Sequence, residues 1–66
     1  MHQATQEDRY QMVTDALARR QGAKARALAD ELGEDLSEVR GALIDLEQHG
    51  IVYRTGKTRG TTWWLG

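Results

Sequence analysis

One predicted helix near the middle of the chain carries side chains that are suited to binding. With an advance of about 100° per residue, one wall of this helix consists of Ser37, Gly41, Ile44 and Gln48, with Arg40 on its flank. A hydroxyl at a helix start can bind an anionic oxygen, and an arginine can pair with one. The central positions are uncharged and small or apolar, so the helix backbone can approach a partner closely. This wall predicts a contact surface.

Positive charge is concentrated near the C-terminus of the chain. Residues 48–66 contain three basic residues, Arg54, Lys57 and Arg59, and no acid. Residues 1–47 contain six basic and ten acidic residues, and the formal net charge of the whole chain is -1. A negative total argues mildly against nucleic acid as the partner, whereas an acid-free basic segment suits phosphate binding. The placement of charge is therefore more informative than its sum.

The composition excludes several classes of function. The chain has no cysteine, and His2 and His49 form no metal-binding motif, so we expect no disulfide, no metal and no other cofactor. No nucleophile lies at a recognisable spacing from a base, and no glycine-rich phosphate loop is present. A chain of 66 residues is also too short to enclose a catalytic pocket. We therefore expect that the protein is not an enzyme.

Length and hydropathy set the expected organisation of the chain. No apolar run approaches the ~20 residues that are needed to cross a bilayer, and the first residues do not form a signal peptide. We expect a cytoplasmic protein that makes no membrane contact. The length is that of a single domain over residues 1–66, of which residues 1–5 are expected to be frayed.

Two segments in the first half of the chain are predicted to be helices. Helix one spans about 6–20 and places Val13 and Leu17 on one apolar face, with Thr5 as its cap. A glycine ends this helix, and the following residues leave room for a very short strand or bridge. Helix two spans about 26–32, and its alanines permit close helix packing.

Helix three, about 36–49, carries the contact wall on one side and an apolar face on the other. Gly33 precedes it and Gly50 ends it, because glycine is the usual residue where a helix closes in a left-handed turn. Either Asp35 or Ser37 can cap its start. The apolar face consists of Val39, Ala42, Leu43 and Leu46, with Leu36 leaning in from the start.

Beyond helix three the periodicity changes from helical to alternating. Residues 51–55 and 61–65 are rich in β-branched and aromatic side chains, which favour strands. A polar, glycine-bounded turn at 56–60 connects them, so the pair predicts a β-hairpin. The order of elements is helix, short strand, helix, turn, helix and hairpin, and the fold class is α+β.

The residues that carry a family resemblance are Leu28-Ala29-x-x-Leu32-Gly33, Val39, Leu43, Leu46-Glu47-x-x-Gly50-Ile51-Val52 and Trp63-x-Leu65. With the order of elements, they resemble the winged helix-turn-helix domain over nearly the whole chain. Bacterial regulators of the MarR and ArsR groups look like this around the helix that reads DNA. The spacing of helix three and the closing tryptophan also resemble the Z-alpha domains that bind left-handed DNA.

The resemblance to Z-alpha domains is one of spacing and not of contact residues. Those domains use lysines early in the reading helix, an asparagine and arginine pair, a tyrosine, and a proline pair in the wing. The matching positions here hold Leu36 and Ser37, Arg40 and Gly41, Ile44, and Thr61 and Thr62. Only the tryptophan is retained, so the contact residues argue against left-handed DNA.

The resemblance implies a role for each candidate residue. In a winged helix the third helix enters the major groove of DNA, and the wing lies along the backbone or reaches a minor groove. The implied function is that of a small bacterial or phage-like regulator of transcription or replication that binds duplex DNA, with a homodimer supplying further contacts. The residues expected to touch DNA are Ser37, Arg40, Gly41, Ile44 and Gln48 on helix three, and Arg54, Lys57 and Arg59 in the wing.

A protein-interaction module on the same scaffold is the alternative. Ile44 and Trp64 would then be apolar anchors, with Trp63 in the core beside Leu65 and Trp64 the more exposed of the two. The negative net charge favours this alternative. So do the acids near the start of helix three, which would repel phosphates: Glu34, Asp35, Glu38 and Asp45.

Overall fold

The computed structural model describes residues 6–56 and 60–66. Within these residues three helices are followed by a two-stranded antiparallel hairpin, which confirms the predicted α+β winged helix-turn-helix. The predicted bounds of the helices agree with the structure to within one residue. The elements are α1 (Gln6–Arg20), α2 (Ala25–Leu32), α3 (Leu36–Gln48), β1 (Val52–Thr55) and β2 (Thr62–Leu65).

The turn between α2 and α3 fixes where the third helix begins. Gly33 closes α2 in the left-handed conformation, with φ of 66°, and its N–H donates to the carbonyl of Ala29. Asp35 is the N-cap of α3, and its carboxylate accepts hydrogen bonds from the N–H of Ser37, at 3.1 Å, and from the Ser37 hydroxyl. Asp35 therefore caps α3, and Ser37 lies in its first turn. The predicted cap of α1, Thr5, lies outside the described residues.

The core lies between α1, α2, the inner face of α3 and the hairpin. The predicted apolar face of α3 is buried, with the exception of Leu36, which is 37% exposed. Leu36 is the first residue of α3, so its side chain lies at the edge of the core and not within it. The buried residues are Val13, Ala16, Leu17, Ala23, Leu28, Ala29, Val39, Ala42, Leu43, Leu46, Val52 and Trp63.

The hairpin is joined to the helices by the segment between α1 and α2. Ala23 forms an isolated antiparallel bridge to Trp63, with N–H to carbonyl distances of 3.0 and 2.8 Å in the two directions. The sequence leaves room there for a very short strand or bridge, and the structure has the bridge. Trp63 is buried and Trp64 is half-buried, as predicted, whereas Leu65 is 41% exposed and does not share the core with Trp63. Leu65 is the last residue of β2 and pairs with Val52 at the open end of the hairpin.

None of the helices in residues 6–56 and 60–66 is long and apolar enough to cross a membrane.

Candidate nucleic-acid interface

The start of α2, the outer side of α3 and the hairpin meet around a groove of about 290 Å³, here called the basic groove. Its position follows from the bridge between Ala23 and Trp63, which draws the start of α2 towards the hairpin. The residues that line it are Lys24, Ala25, Arg26, Leu36, Arg40, Ile44, Arg54, Thr61 and Trp63.

The basic groove is positively charged. Of the described residues that line it, four are basic and none is acidic, although the chain as a whole has a net charge of -1. Among the described residues no carboxylate lies within 4.0 Å of the charged groups of Lys24, Arg26 or Arg40. These three cations are therefore available to an anionic ligand.

The start of α2 adds hydrogen-bond donors to the same groove. Lys24 is its N-cap, with extended backbone, and makes no capping hydrogen bond through its side chain within the described part of the chain. The first N–H groups of a helix have no acceptor within the helix, and the helix dipole places partial positive charge there. A phosphate oxygen is a suitable acceptor at such a position.

Ile44, Leu36 and Trp63 are the large apolar side chains among the described residues that line the basic groove. Ile44 and Leu36 are 43% and 37% exposed, and Trp63 lies beneath them with 5% of its surface exposed. Apolar groups between cations suit a ligand with a charged backbone and apolar edges, such as a nucleic acid with its thymine methyl groups.

Arg54 connects the hairpin to α3 across the basic groove. Its Nε lies 3.2 Å from Oε2 of Glu47, and its guanidinium carbon lies 5.5 Å from the centroid of the Trp63 ring. The guanidinium therefore has an ion-pair partner on one side and a cation–π partner on another. The side chain is nevertheless 54% exposed, so it can reach a ligand in the groove.

The acids near the start of α3 lie on its other side. Arg9 of α1 pairs with Glu34 at 3.0 Å and with Glu38 at 2.6 Å, and the hydrogen bond from Arg9 to Glu34 raises the pKa of that guanidinium. The Tyr10 hydroxyl donates to Asp45 at 2.6 Å. A separate cleft between α1 and α3 contains Glu38 and Asp45. These carboxylates are bound to α1 and do not line the basic groove.

Asp35 is also engaged within the protein. The hydrogen bonds from the Ser37 hydroxyl and the Ser37 N–H lower the pKa of the Asp35 carboxyl, so it is ionised at neutral pH. Its charge compensates the positive end of the α3 dipole. The repulsion of phosphates that the sequence suggested for these acids is therefore reduced by their placement and their partners.

The structure brings together three of the predicted contact residues, Arg40, Ile44 and Arg54, in the basic groove. Gly41 instead lines the cleft between α1 and α3, and Gln48 is exposed at the far end of α3. Ser37 is exposed at the start of α3, next to the groove residue Leu36, and its hydroxyl is bonded to Asp35. The other two predicted residues, Lys57 and Arg59, lie outside the described residues.

Sequence reasoning missed Lys24 and Arg26 as interface residues. The signal that could have found them is the basic pair at the start of helix two, directly after the predicted short strand. Only the pairing of Ala23 with Trp63 shows that these side chains lie beside the hairpin, and that pairing is a tertiary contact.

Trp64 lies on the other face of the hairpin from Trp63. Its Nε1 donates to the hydroxyl of Thr55 at 2.8 Å, and its ring stacks on Tyr53 with centroids 6.5 Å apart. The ring also packs on the backbone of Gly22. Trp64 is therefore held by the protein itself, which makes it less suited to the role of a free apolar anchor.

The fold and the groove define a winged helix-turn-helix domain of the DNA-binding class. Residues 8–62 match the model of the IclR helix-turn-helix domain. The chain belongs to this family, whose members are DNA-binding domains and not enzymes.

Among the solved structures that share the fold are two Zalpha domains. The Zalpha domain of PKZ from Carassius auratus, in complex with Z-DNA, has a TM-score of 0.88 and 22% sequence identity, with 96% of this chain and 100% of that chain covered. The Zalpha domain of ORF112 from Cyprinid Herpesvirus 3, solved for its binding mode to Z-DNA, has a TM-score of 0.82 and 28% identity, with the same coverage. No curated protein matches the chain.

Proposed function

We propose that this domain binds duplex DNA through the basic groove, with α3 directed at the bases and the hairpin at the sugar-phosphate backbone. The observation that carries the proposal is the arrangement of charge: four cations and no carboxylate line one groove of a chain whose net charge is -1. A solvated surface of average composition would not separate its charges in this way.

Within this proposal the residues have different tasks. Arg40 and Ile44, on the exposed side of α3, are placed for base contact, because arginine pairs with guanine and an aliphatic side chain can touch a thymine methyl. Lys24, Arg26 and Arg54 are placed for phosphate contact, which positions a protein without specifying sequence. The further contacts predicted from the sequence, at Ser37, Gly41, Gln48, Lys57 and Arg59, remain part of the proposal.

We further propose a regulatory role in transcription or replication. A surface with so few cations makes few phosphate contacts, and the affinity for DNA that these contacts supply decreases as the salt concentration increases. Useful affinity at physiological salt therefore calls for two copies on one site, as a homodimer or a cooperative array.

Left-handed duplex DNA is the second candidate ligand. The observation that favours it is the similarity in fold to two Zalpha domains, both solved with Z-DNA. Right-handed and left-handed duplexes present phosphates at different spacings, so one protein surface will not bind both equally. Circular dichroism of an alternating cytosine–guanine duplex during titration distinguishes them, because only a ligand that prefers the left-handed form inverts the spectrum of that duplex.

The proposal is tested by fluorescence anisotropy with a labelled random-sequence duplex at several salt concentrations. Arg26→Ala and Arg40→Ala are expected to weaken binding, and Arg26→Ala, which removes a phosphate contact, is also expected to reduce the slope of log affinity against log salt by about one. Arg19→Ala is the matched control, since it removes the same charge at the end of α1, where Arg19 pairs with Glu31 at 2.8 Å. An equal loss in all three variants would show that only net charge matters and would contradict the groove.

A further inference from the structure

Arg54 differs from the other cations of the basic groove in having a carboxylate partner. Lys24, Arg26 and Arg40 have none among the described residues, whereas Nε of Arg54 lies 3.2 Å from Oε2 of Glu47. Glu47 belongs to α3 and is half-buried, with a side-chain exposure of 30%. An acid beside the groove would be expected to weaken the binding of an anion by Coulomb repulsion. The contacts around Arg54 indicate that Glu47 does not act in this way.

The guanidinium of Arg54 has a partner on each of two sides. Glu47 pairs with its Nε edge, and the Trp63 ring lies 5.5 Å from its central carbon. Trp63 is itself buried, with 5% of its surface exposed, and its backbone is hydrogen-bonded in both directions to that of Ala23. The support for Arg54 therefore comes from α3 on one side and from the bridged hairpin on the other.

The remaining donors of Arg54 are its two Nη groups. Neither has a hydrogen-bond partner among residues 6–56 and 60–66. A planar guanidinium presents its N–H groups as a fork that matches two oxygens of one phosphate, and an arginine whose orientation is already fixed loses less conformational entropy when that fork binds.

We infer that Glu47 is a positioning residue that, with Trp63, holds Arg54 in the orientation in which its two Nη groups bind one phosphate of the DNA backbone. This inference rests on the proposed function and adds to it a negatively charged residue that increases the affinity for a polyanion. The wing is thereby coupled to α3, because the residue that orients the phosphate contact is on the reading helix.

The decisive feature of Glu47→Ala is the sign of its effect. Removal of a negative charge beside a DNA-binding groove should raise affinity if charge alone matters. If Glu47 orients Arg54, its removal lowers the affinity, roughly fivefold, in spite of the more favourable net charge. Glu31→Ala is the matched control, because Glu31 also pairs with arginines, at 2.8 and 2.5 Å, but its partners Arg19 and Arg20 are not among the residues that line the groove.

A double-mutant cycle shows whether Glu47 acts through Arg54. The affinities of the wild type, Glu47→Ala, Arg54→Ala and the double variant are measured by anisotropy with the same duplex, and circular dichroism confirms that each variant is folded. We expect Glu47→Ala to weaken binding in the wild type and not in the Arg54→Ala background. We also expect Arg54→Lys to bind less tightly than the wild type, since lysine keeps the charge and lacks the fork.

Each contrary result has a separate meaning. Affinity that is unchanged or increased in Glu47→Ala, or reduced equally in both backgrounds, would overturn the inference while the wild-type binding still supports the proposed function. The absence of binding by the wild type at low salt would overturn the proposed function itself.

Discussion

Gly22 lies directly against the ring of Trp64, on the face of the hairpin away from the basic groove. Its φ is +107°, and a Cβ added there would lie 2.6 Å from Cζ3 of the tryptophan ring. The ring cannot easily move, because its Nε1 is bonded to Thr55 and its face is stacked on Tyr53. Both the backbone conformation and the contact therefore require glycine.

Substitutions at two glycines, Gly22 and Gly41, test this requirement. Gly22→Ala is expected to lower the free energy of unfolding by about 1–3 kcal/mol, from strain at positive φ and the clash with Trp64. Gly41→Ala is expected to raise it by roughly 0.5–1 kcal/mol, because Gly41 is within α3 and an added Cβ would meet nothing within 4 Å. Urea denaturation of both variants measures these changes, and equal destabilisation would contradict the structure.

The same Gly41 variant tests a predicted DNA contact. If DNA approaches the helix closely at Gly41, the added methyl group will reduce affinity although it stabilises the fold. Unchanged affinity would place Gly41 outside the interface, on the side of α3 that lines the cleft between α1 and α3.

The start of α3 depends on one ionised carboxyl group. Hydrogen bonds from Ser37 lower the pKa of Asp35 in the folded protein below its usual value. A carboxyl group whose pKa is depressed on folding stabilises the native state above its unfolded pKa, about 3.9 for aspartate. This stabilisation is lost as the pH decreases through the folded pKa.

The prediction is that Asp35→Ala melts at a lower temperature than the wild type at pH 7, and that the two melting curves converge as the pH decreases below about 3.9. Thermal unfolding followed by circular dichroism over a pH series measures the difference. Asp30→Ala, at an exposed position of α2, is the control and should change the melting temperature little at any pH. A difference between Asp35→Ala and the wild type that is constant with pH would mean that the cap does not act through its charge.

The elements themselves were largely predictable from the sequence. The apolar periodicity and the glycine boundaries locate all three helices to within one residue, because both signals are local. The choice between Asp35 and Ser37 as the cap was not predictable, since either side chain can accept from an early N–H of α3. The exposure of Leu36 and Leu65 was not predicted, for a different reason. Both residues continue the apolar pattern of their element, but they lie at its end, where the element no longer packs on the core.

The interface was less predictable than the elements. The sequence predicted Arg40 and Ile44 as interface residues from the exposed wall of α3, and Arg54 from the acid-free basic segment at residues 48–66. Lys24 and Arg26 join the groove through one pair of backbone hydrogen bonds between residues 40 positions apart, Ala23 and Trp63. A contact at that sequence separation leaves no periodic pattern, so the sequence alone could not place these residues.

Across the whole molecule, α3 separates two electrostatic environments. One side faces α1, where Arg9 and Tyr10 bind the nearby carboxylates, and the other side faces the basic groove. The net charge of -1 is therefore compatible with a locally positive surface. The same helix also supplies much of the core, so its two faces make different contributions to stability and to binding.

Two adjacent residues of α3 test this division of roles. Leu43 is fully buried, and Leu43→Ala is expected to lower the free energy of unfolding by about 2–5 kcal/mol, through lost burial and the cavity that remains. A chain of this length has a total stability of roughly 3–10 kcal/mol, so the variant should be partly unfolded at moderate temperature.

Ile44→Ala makes a similar change one position further along the chain, where the side chain is 43% exposed in the basic groove. It is expected to change stability by less than about 1 kcal/mol and to weaken DNA binding several-fold, by loss of an apolar contact with the bases. Urea denaturation and anisotropy titration on both variants measure the two quantities. If Ile44→Ala keeps full affinity while Leu43→Ala is destabilised as expected, the burial of Leu43 is supported but the proposed DNA contact of Ile44 is contradicted. Stability and binding would then both be insensitive to this exposed position of α3, and the DNA-binding surface would have to lie elsewhere.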